Sequence, residues 1–339
     1  MSDNALLQAM YQSIGINPHD LWAQLDVARI EIHANQVLGV HLVQGLEVDA
    51  RQLDDGIEAR ILVAKGVRIA KPVQVCFGMI PENGVQRVIL EIVVEDEARA
   101  GVVAHCTFPN ARNIRHEMDA RLTIGRNAEY AYIERHVHGA EGGVVVIPRS
   151  KVHVLEGGRY HTDFELIRGR VGHIEIDVEL TGEAHSASEI VARVSGSGND
   201  RINIKEVAHL AGPHARGVLQ TSVALRDHAE AVVYNTLRAS APHARGHVDC
   251  KEIVQGNAVA KAVPVVEVTH PKAHVTHEAA IGSVDSRQLE TLMSRGLTED
   301  EAVDLIIQGL LLKGRSDRRP PGGAYQATYQ SEVSPAGAA

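Results

Sequence analysis

The chain has 339 residues, 44% of them hydrophobic and 23% charged, with a formal net charge of −9. These are ordinary values for a globular chain that buries a large core, and they exclude wholesale disorder. The acidic balance also argues against a nucleic-acid partner, because that affinity comes mainly from lysine and arginine neutralising phosphates.

Residues 5–14 carry Leu6, Leu7, Met10 and Tyr11 at helical spacing after Asn4, a good N-cap, and the stretch stops at Gly15. Residues 1–27 are therefore expected to form a short N-terminal helical segment. From residue 28 to residue 284 the pattern changes to β-branched runs between Gly, Asn and Asp punctuation, so this region is expected to be all strand. Alternation is clearest from His173 to Leu180, where Ile174, Ile176, Val178 and Leu180 share one face and the charged residues the other. Further runs at 85–94, 117–124, 144–155, 190–194, 218–225 and 231–237 restart at intervals of roughly fifteen to thirty residues. Sandwiches, barrels and solenoids all fit that spacing. Aromatic residues make up only 3%, so the core must be thin aliphatic layers, and no tight hairpin signal dominates. Both features favour a mainly β chain with a right-handed parallel β-helix core.

Residues 285–314 return to a helical period. Asp285 and Ser286 can cap a helix bearing Leu289, Leu292 and Met293, which Gly296 ends. Thr298-Glu299-Asp300-Glu301 then spells a capping box, in which the threonine hydroxyl and the glutamate carboxylate satisfy backbone donors reciprocally. The second helix has an apolar stripe through Ala302, Leu305, Ile306 and Leu310, continuing to Leu311 and Leu312. That is more than a helix on a solenoid end needs, and it fits either core packing or a partner. Residues 315–339 are rich in Pro, Gly, Ala and Ser and are expected to be a disordered tail.

The chemistry-bearing motifs narrow the function. No run of about 18 apolar residues can span a bilayer, and Met1-Ser2-Asp3-Asn4 lacks the order of a secretion signal, so no membrane partner and a cytoplasmic location are expected. Cys76, Cys106 and Cys250 are too few and too far apart for a disulfide framework, so free thiols are expected. No glycine-rich phosphate loop occurs, and any ATP chemistry must come from a partner. Gly182, Gly196, Gly198 and Gly212 fit strand-end turns needing positive φ. The signatures G-x-S-x-G, H-E-x-x-H and C-x-x-C are also absent. Among 19 histidines, two groups stand out. His136 and His138, with Glu134, share one strand face that suits either a metal or a polar outward surface. His270, His274, His277 and Glu278 form a denser group able to offer nitrogen and carboxylate donors to iron.

The C-terminal third carries, in order, Pro264-Val265-Val266-Glu267-Val268, His277-Glu278-Ala279-Ala280-Ile281-Gly282, Met293-Ser294-Arg295-Gly296-Leu297, and Thr298-Glu299-Asp300-Glu301-Ala302 through Leu310. In the order, spacing and identity of these elements it resembles the SufB/SufD family of iron–sulfur cluster assembly scaffolds. The close match spans residues 249–312, with a looser likeness from Ala100. The resemblance implies a scaffold rather than an enzyme, paired through its last β-helix strands as a homodimer. It implies a SufC-like ABC ATPase gripped by the C-terminal helices through Leu289, Met293, Arg295, Leu305, Ile306 and Leu310. It also implies a transient iron–sulfur cluster at the scaffold interface, a sulfur donor and recipient apo-proteins. His277 and Glu278 match the family's interface histidine and glutamate, and His-Glu is the SufB-type pair. The family's scaffold cysteine falls on Asp249, with Cys250 one residue later. A one-residue shift in a flat strand reverses the side chain, so either a bulge corrects the register or Cys250 is not the equivalent thiol. The short chain resembles minimal systems with one scaffold. Two other readings remain: a structural subunit that couples the ATPase without binding a cluster, and a metal-dependent β-helix enzyme using His136 and His138.

Overall fold

A computed structural model describes residues 2–170 and 172–312 of the chain; the expected tail, residues 315–339, lies outside the described residues. The region expected to be all strand is a β-solenoid of about eight turns. Its first four strands, β1 (Arg29–His33), β2 (Gln36–His41), β3 (Leu46–Gln52) and β4 (Ile57–Val63), form two antiparallel pairs. From there the chain alternates between two parallel sheets. One stacks β5 (Val73–Gly78), β7 (Arg99–Phe108), β9 (Glu129–His138), β11 (Arg159–Arg168), β13 (Ala187–Gly196), β15 (Arg216–Leu225), β17 (Arg245–Val254) and β19 (His274–Gly282). The other stacks β6 (Asn83–Val94), β8 (Asn113–Ile124), β10 (Val144–Val154), β12 (Gly172–Gly182), β14 (Arg201–Leu210), β16 (Glu230–Ala239) and β18 (Val259–Val268).

Successive turns are 28 to 30 residues apart, as cross-turn pairs such as Ser188 with Arg216, His247 with Thr276 and Arg193 with Asp163 show. Strand alternation sends every second side chain into the lumen between the sheets. In β12 the inward set is Ile174, Ile176, Val178 and Leu180, all buried. Because the layers are thin and aliphatic, each inward residue contacts its equivalents one turn above and below. Leu219, fully buried in β15, is one such residue. Leu219→Ala is expected to lower the unfolding free energy by about 2–5 kcal/mol, read from the guanidinium midpoint.

One corner repeats along the solenoid. Glu97, Asn127, Gly157, His185, His214 and His243 all adopt positive φ. The amide of each bonds a carbonyl in the following turn, as in Asn127 to Glu156 at 3.0 Å and His214 to Pro242 at 3.0 Å. Glycine adopts that left-handed corner freely, and asparagine and histidine tolerate it better than β-branched residues do. Of the four glycines expected to need positive φ, only Gly198 has it. Gly212 is required for a different reason: a Cβ there would collide with the backbone of Ala184 in the preceding turn.

The N-terminal segment packs across the outside of the first turns. Helix α1 (Asp3–Ser13) begins a little earlier than expected because Ser2, not Asn4, is its cap. A second short helix, α2 (Pro18–Trp22), capped by Asn17 with proline at its start, was too brief to show a period. Met10, Tyr11, Ile14, Leu21 and Val27 bury Cys76 on the outer face of β5. The Tyr11 hydroxyl and the Trp22 indole N–H each donate to the buried carboxylate of Glu31 at 2.8 Å.

At the other end are α3 (Ser286–Met293) and α4 (Glu299–Leu311), with Asp285 capping the first and the complete Thr298–Glu301 box starting the second. Helix α4 lies on the outer face of the β15 sheet, burying Val303, Ile307 and Leu311 against Ala224, with Ile167 and Ile253 alongside. The expected single stripe is thus two. Ala302, Val303, Ile307 and Leu311 cover the solenoid, while Leu305 and Leu312 stay exposed and Ile306 and Leu310 are half-buried.

Candidate functional site

The last turn of the solenoid is open. Strands β18 and β19 end their sheets, and Val259, Val265, Val266, Val268 and Ile281 are exposed along them. Strands β17 and β19 pair without a register shift, with Val248 opposite His277, Asp249 opposite Glu278 and Cys250 opposite Ala279. No bulge moves Cys250 to the other face. Val248, Cys250 and Glu252 therefore point inward, and His277 shares that face as a diagonal neighbour of Cys250. Asp249 and Glu278 share the opposite, outer face. Lys251 on that face donates to both Asp249 oxygens, at 2.8 and 2.6 Å, and neutralises the carboxylate. The structure thus splits the four expected ligands into an inner pair, Cys250 and His277, and an outer pair, Asp249 and Glu278.

The inner pair sits above polar groups that the sequence did not single out. Glu252 is buried beside Cys250, and neither of its carboxylate oxygens has a hydrogen-bond partner among the described residues. Burial pushes its carboxyl up to about 7. Below it, Glu206 is fully enclosed and accepts hydrogen bonds from Thr221 at 3.0 Å and Asn235 at 2.8 Å. Burial outweighs both bonds and pushes its carboxyl up to about 8. The Cys250 thiol is pushed up to about 12, first by burial and then by Glu252 and Glu206. His277 is half-buried and its Nε2 has no partner among the described residues. The expected partner-binding residues lie beyond this rim. Met293, Arg295 and Leu305 are exposed, while Leu289, Ile306 and Leu310 are half-buried.

A second polar group lies deeper in the lumen. Glu134, His136 and His138 do share one face of β9, but that face is the interior, not a polar outer surface. Tyr130 and Tyr132 precede them on the same face, which is where an apolar run would be expected. His136 stacks over Cys106 of β7 in the parallel register, and His116 reaches in from β8 of the opposite sheet. Donor atoms of Cys106, His116, Glu134 and His136 all lie within 4.8 Å of one another. The His136 Nε2 contacts the Glu134 carboxylate at 2.6 Å, and the Cys106 thiol reaches it at 3.8 Å. Burial holds His116 and His136 neutral, each lowered to about 3, and raises the Cys106 thiol and the Glu134 carboxyl. A small cavity of about 60 Å³, mostly apolar, counts both Glu134 and Glu206 among its lining residues.

The protein is thus a β-solenoid whose lumen gathers thiol, imidazole and carboxylate groups of the kind that can hold a metal ion. The profile of the SUF system FeS cluster assembly, SufBD core domain, matches residues 80–310. The chain is 37% identical over 283 residues to an iron–sulfur cluster assembly SufBD family protein of Methanocaldococcus jannaschii, covering 84% of this chain and 90% of that one. It is 33% identical over 285 residues to another of Pyrococcus horikoshii, covering 84% and 87% respectively. Its likeness to the iron–sulfur cluster assembly protein SufB of Bacillus subtilis is 25% over 263 residues, covering 74% of this chain and 54% of that one. The chain belongs to the SufBD family of iron–sulfur cluster assembly proteins. The family is an assembly scaffold rather than a known enzyme. Among the described residues, no helix is long and apolar enough to cross a membrane.

Proposed function

We propose that this chain is a homodimeric scaffold that builds a transient iron–sulfur cluster where the open ends of two solenoids meet, with a SufC-like ABC ATPase docked on its C-terminal helices. The observation that carries the reading is the open last turn. Strands β18 and β19 leave unpaired edges and a row of exposed valines, and the same turn brings His277 onto the face of Cys250. Exposed apolar edges invite strand pairing with another chain. A two-fold pairing presents every ligand twice, which offsets the split between the inner and outer pairs within one chain. The cytoplasm is the compartment that suits such chemistry, with a sulfur donor and recipient apo-proteins as transient partners.

In this reading Cys250 supplies sulfur ligation, since a thiolate is the ordinary ligand of such clusters. His277 supplies nitrogen, and Glu278 supplies oxygen across the interface. Asp249 is engaged by Lys251 through both oxygens and takes no part in ligation. The high thiol pKa means that Cys250 is unreactive until iron or a change at the interface favours the thiolate. The test is anaerobic reconstitution of the full chain with ferrous iron and sulfide, read by iron and acid-labile sulfide content and by light scattering. The expected result is a dimer that holds iron and sulfide, loses both in Cys250→Ser and keeps its dimer mass in that variant. A chain that is monomeric with and without the ATPase, or a Cys250→Ser protein with full cluster content, would overturn it.

A further inference from the structure

The deep luminal group is remote from the open rim and plays no part in the function proposed above. We propose that Cys106, His116, Glu134 and His136 form a closed, four-coordinate site for one divalent first-row transition ion, of the zinc or ferrous type, inside the solenoid.

The geometry comes from three strands. Cys106 and His136 occupy the same rung position on neighbouring strands of one sheet, Glu134 lies two residues before His136 on that strand's inward face, and His116 crosses from the opposite sheet. Such an ion takes sulfur at about 2.3 Å and nitrogen or oxygen at about 2.0–2.2 Å in a tetrahedron. Neighbouring ligand atoms in that tetrahedron are about 3.3–3.8 Å apart. A spread of at most 4.8 Å closes to this by side-chain rotation. Four ligands drawn from two sheets leave no position facing solvent, which is the pattern of a structural centre rather than an open catalytic one.

Two observations point to an ion rather than to a hydrogen-bonded cluster alone. His116 is completely buried, and neither of its ring nitrogens has a hydrogen-bond partner among the described residues. A neutral imidazole carries one donor and one acceptor, and leaving both unmet in a dry interior is costly. Coordination removes that cost at the acceptor nitrogen. The second observation is charge. One thiolate, one carboxylate and two neutral imidazoles balance a divalent cation, so the loaded centre buries no net charge.

The surroundings match a built centre. His138 places its Nε2 3.2 Å from His136 Nδ1, which fixes the ring and leaves the other nitrogen for the ion. The three phenylalanines of the chain, Phe77, Phe108 and Phe164, all lie against these imidazoles. Phe108 sits 5.1 Å from the His116 ring and Phe164 4.8 Å from the His136 ring, measured between centroids. In a chain so poor in aromatics, this concentration makes a dry shell around one point of the lumen.

The test uses the full chain produced in cobalt-supplemented minimal medium and purified without chelator. The expected result is one cobalt per chain with the intense visible bands of four-coordinate Co(II) and a thiolate-to-cobalt transition in the near ultraviolet. Cys106→Ser should remove that transition, and His116→Ala should weaken retention against a chelator more than about 100-fold. Cys250→Ser should change neither, which separates this centre from the rim. Far-ultraviolet circular dichroism checks that each variant folds. Should one fail to fold, an anomalous difference map of wild-type crystals at the cobalt edge decides by placing the ion beside Cys106 or elsewhere. Cobalt absent from the wild type, a weak six-coordinate spectrum, a thiolate band lost only in Cys250→Ser, or an ion away from Cys106 would each overturn the proposal.

Discussion

Raising the pH from about 5 to about 9 is expected to cost the chain on the order of 4 kcal/mol of stability through Glu206 alone, and Glu206→Gln is expected to remove that component. The carboxyl is pushed up to about 8 in the folded chain from an ordinary value of 4.5, because burial outweighs the bonds from Thr221 and Asn235. Below 4.5 both states hold the proton and the group contributes no pH dependence. Between 4.5 and about 8 the folded chain keeps a proton that the unfolded chain releases, so stability falls as pH rises. Above that both states are ionised and the loss levels off.

Glu252, raised to about 7 by burial, adds a loss of the same sign. His116 and His136 act at the other end. Their folded values of about 3 lie below the ordinary 6.5, so stability drops as acid protonates the unfolded chain first. The variant isolates Glu206 from these neighbours. Guanidinium midpoints at pH 5, 7 and 9 should converge between wild type and Glu206→Gln at low pH and separate at high pH. Parallel profiles would show that the Glu206 carboxyl does not titrate in this way.

The same lumen explains how much was legible in the residues beforehand. The solenoid body was readable because Ile174 to Leu180 alternate cleanly, and the two C-terminal helices because Asp285 and the Thr298–Glu301 box write their own starts. The polarity rule misleads at Glu134, His136 and His138. Alternation gives two faces but does not say which is inside, and polarity assigns charged and imidazole groups outward unless they pair within the core. Cys106 escaped for another reason. It lies one turn of 30 residues from His136, and that spacing acquires meaning only once the turn length is known. His116 needed the opposite sheet as well. At the rim, by contrast, the strand rule already set Asp249 and Cys250 on opposite faces, and the unshifted β17–β19 register adds that Cys250 goes with His277 and Asp249 with Glu278.

Helix α4 is where one segment makes two opposed expectations. Its inward face, Val303, Ile307 and Leu311, packs on the solenoid, and a largely exposed ion pair between Arg226 and Asp304 adds a minor contact there. Its outward face leaves Leu305 49% exposed, and neighbouring Met293 on α3 is 42% exposed. If the ATPase grips this segment, Leu305→Asp combined with Met293→Asp should leave the unfolding midpoint unchanged while weakening ATPase binding by more than about 100-fold, since buried interface anchors commonly cost 2 kcal/mol or more each. Ile307→Asp is expected to behave differently. A carboxylate forced against Ala224 and Val303 detaches the helix, so hydrogen exchange across residues 299–311 should rise and ATPase binding should fall with it. Calorimetric titration with the ATPase, paired with hydrogen exchange on the same samples, separates the two faces. Unchanged affinity in the outward double variant would place the ATPase elsewhere on the solenoid, and a loss confined to Ile307→Asp would mean that α4 supports the docking surface without forming it.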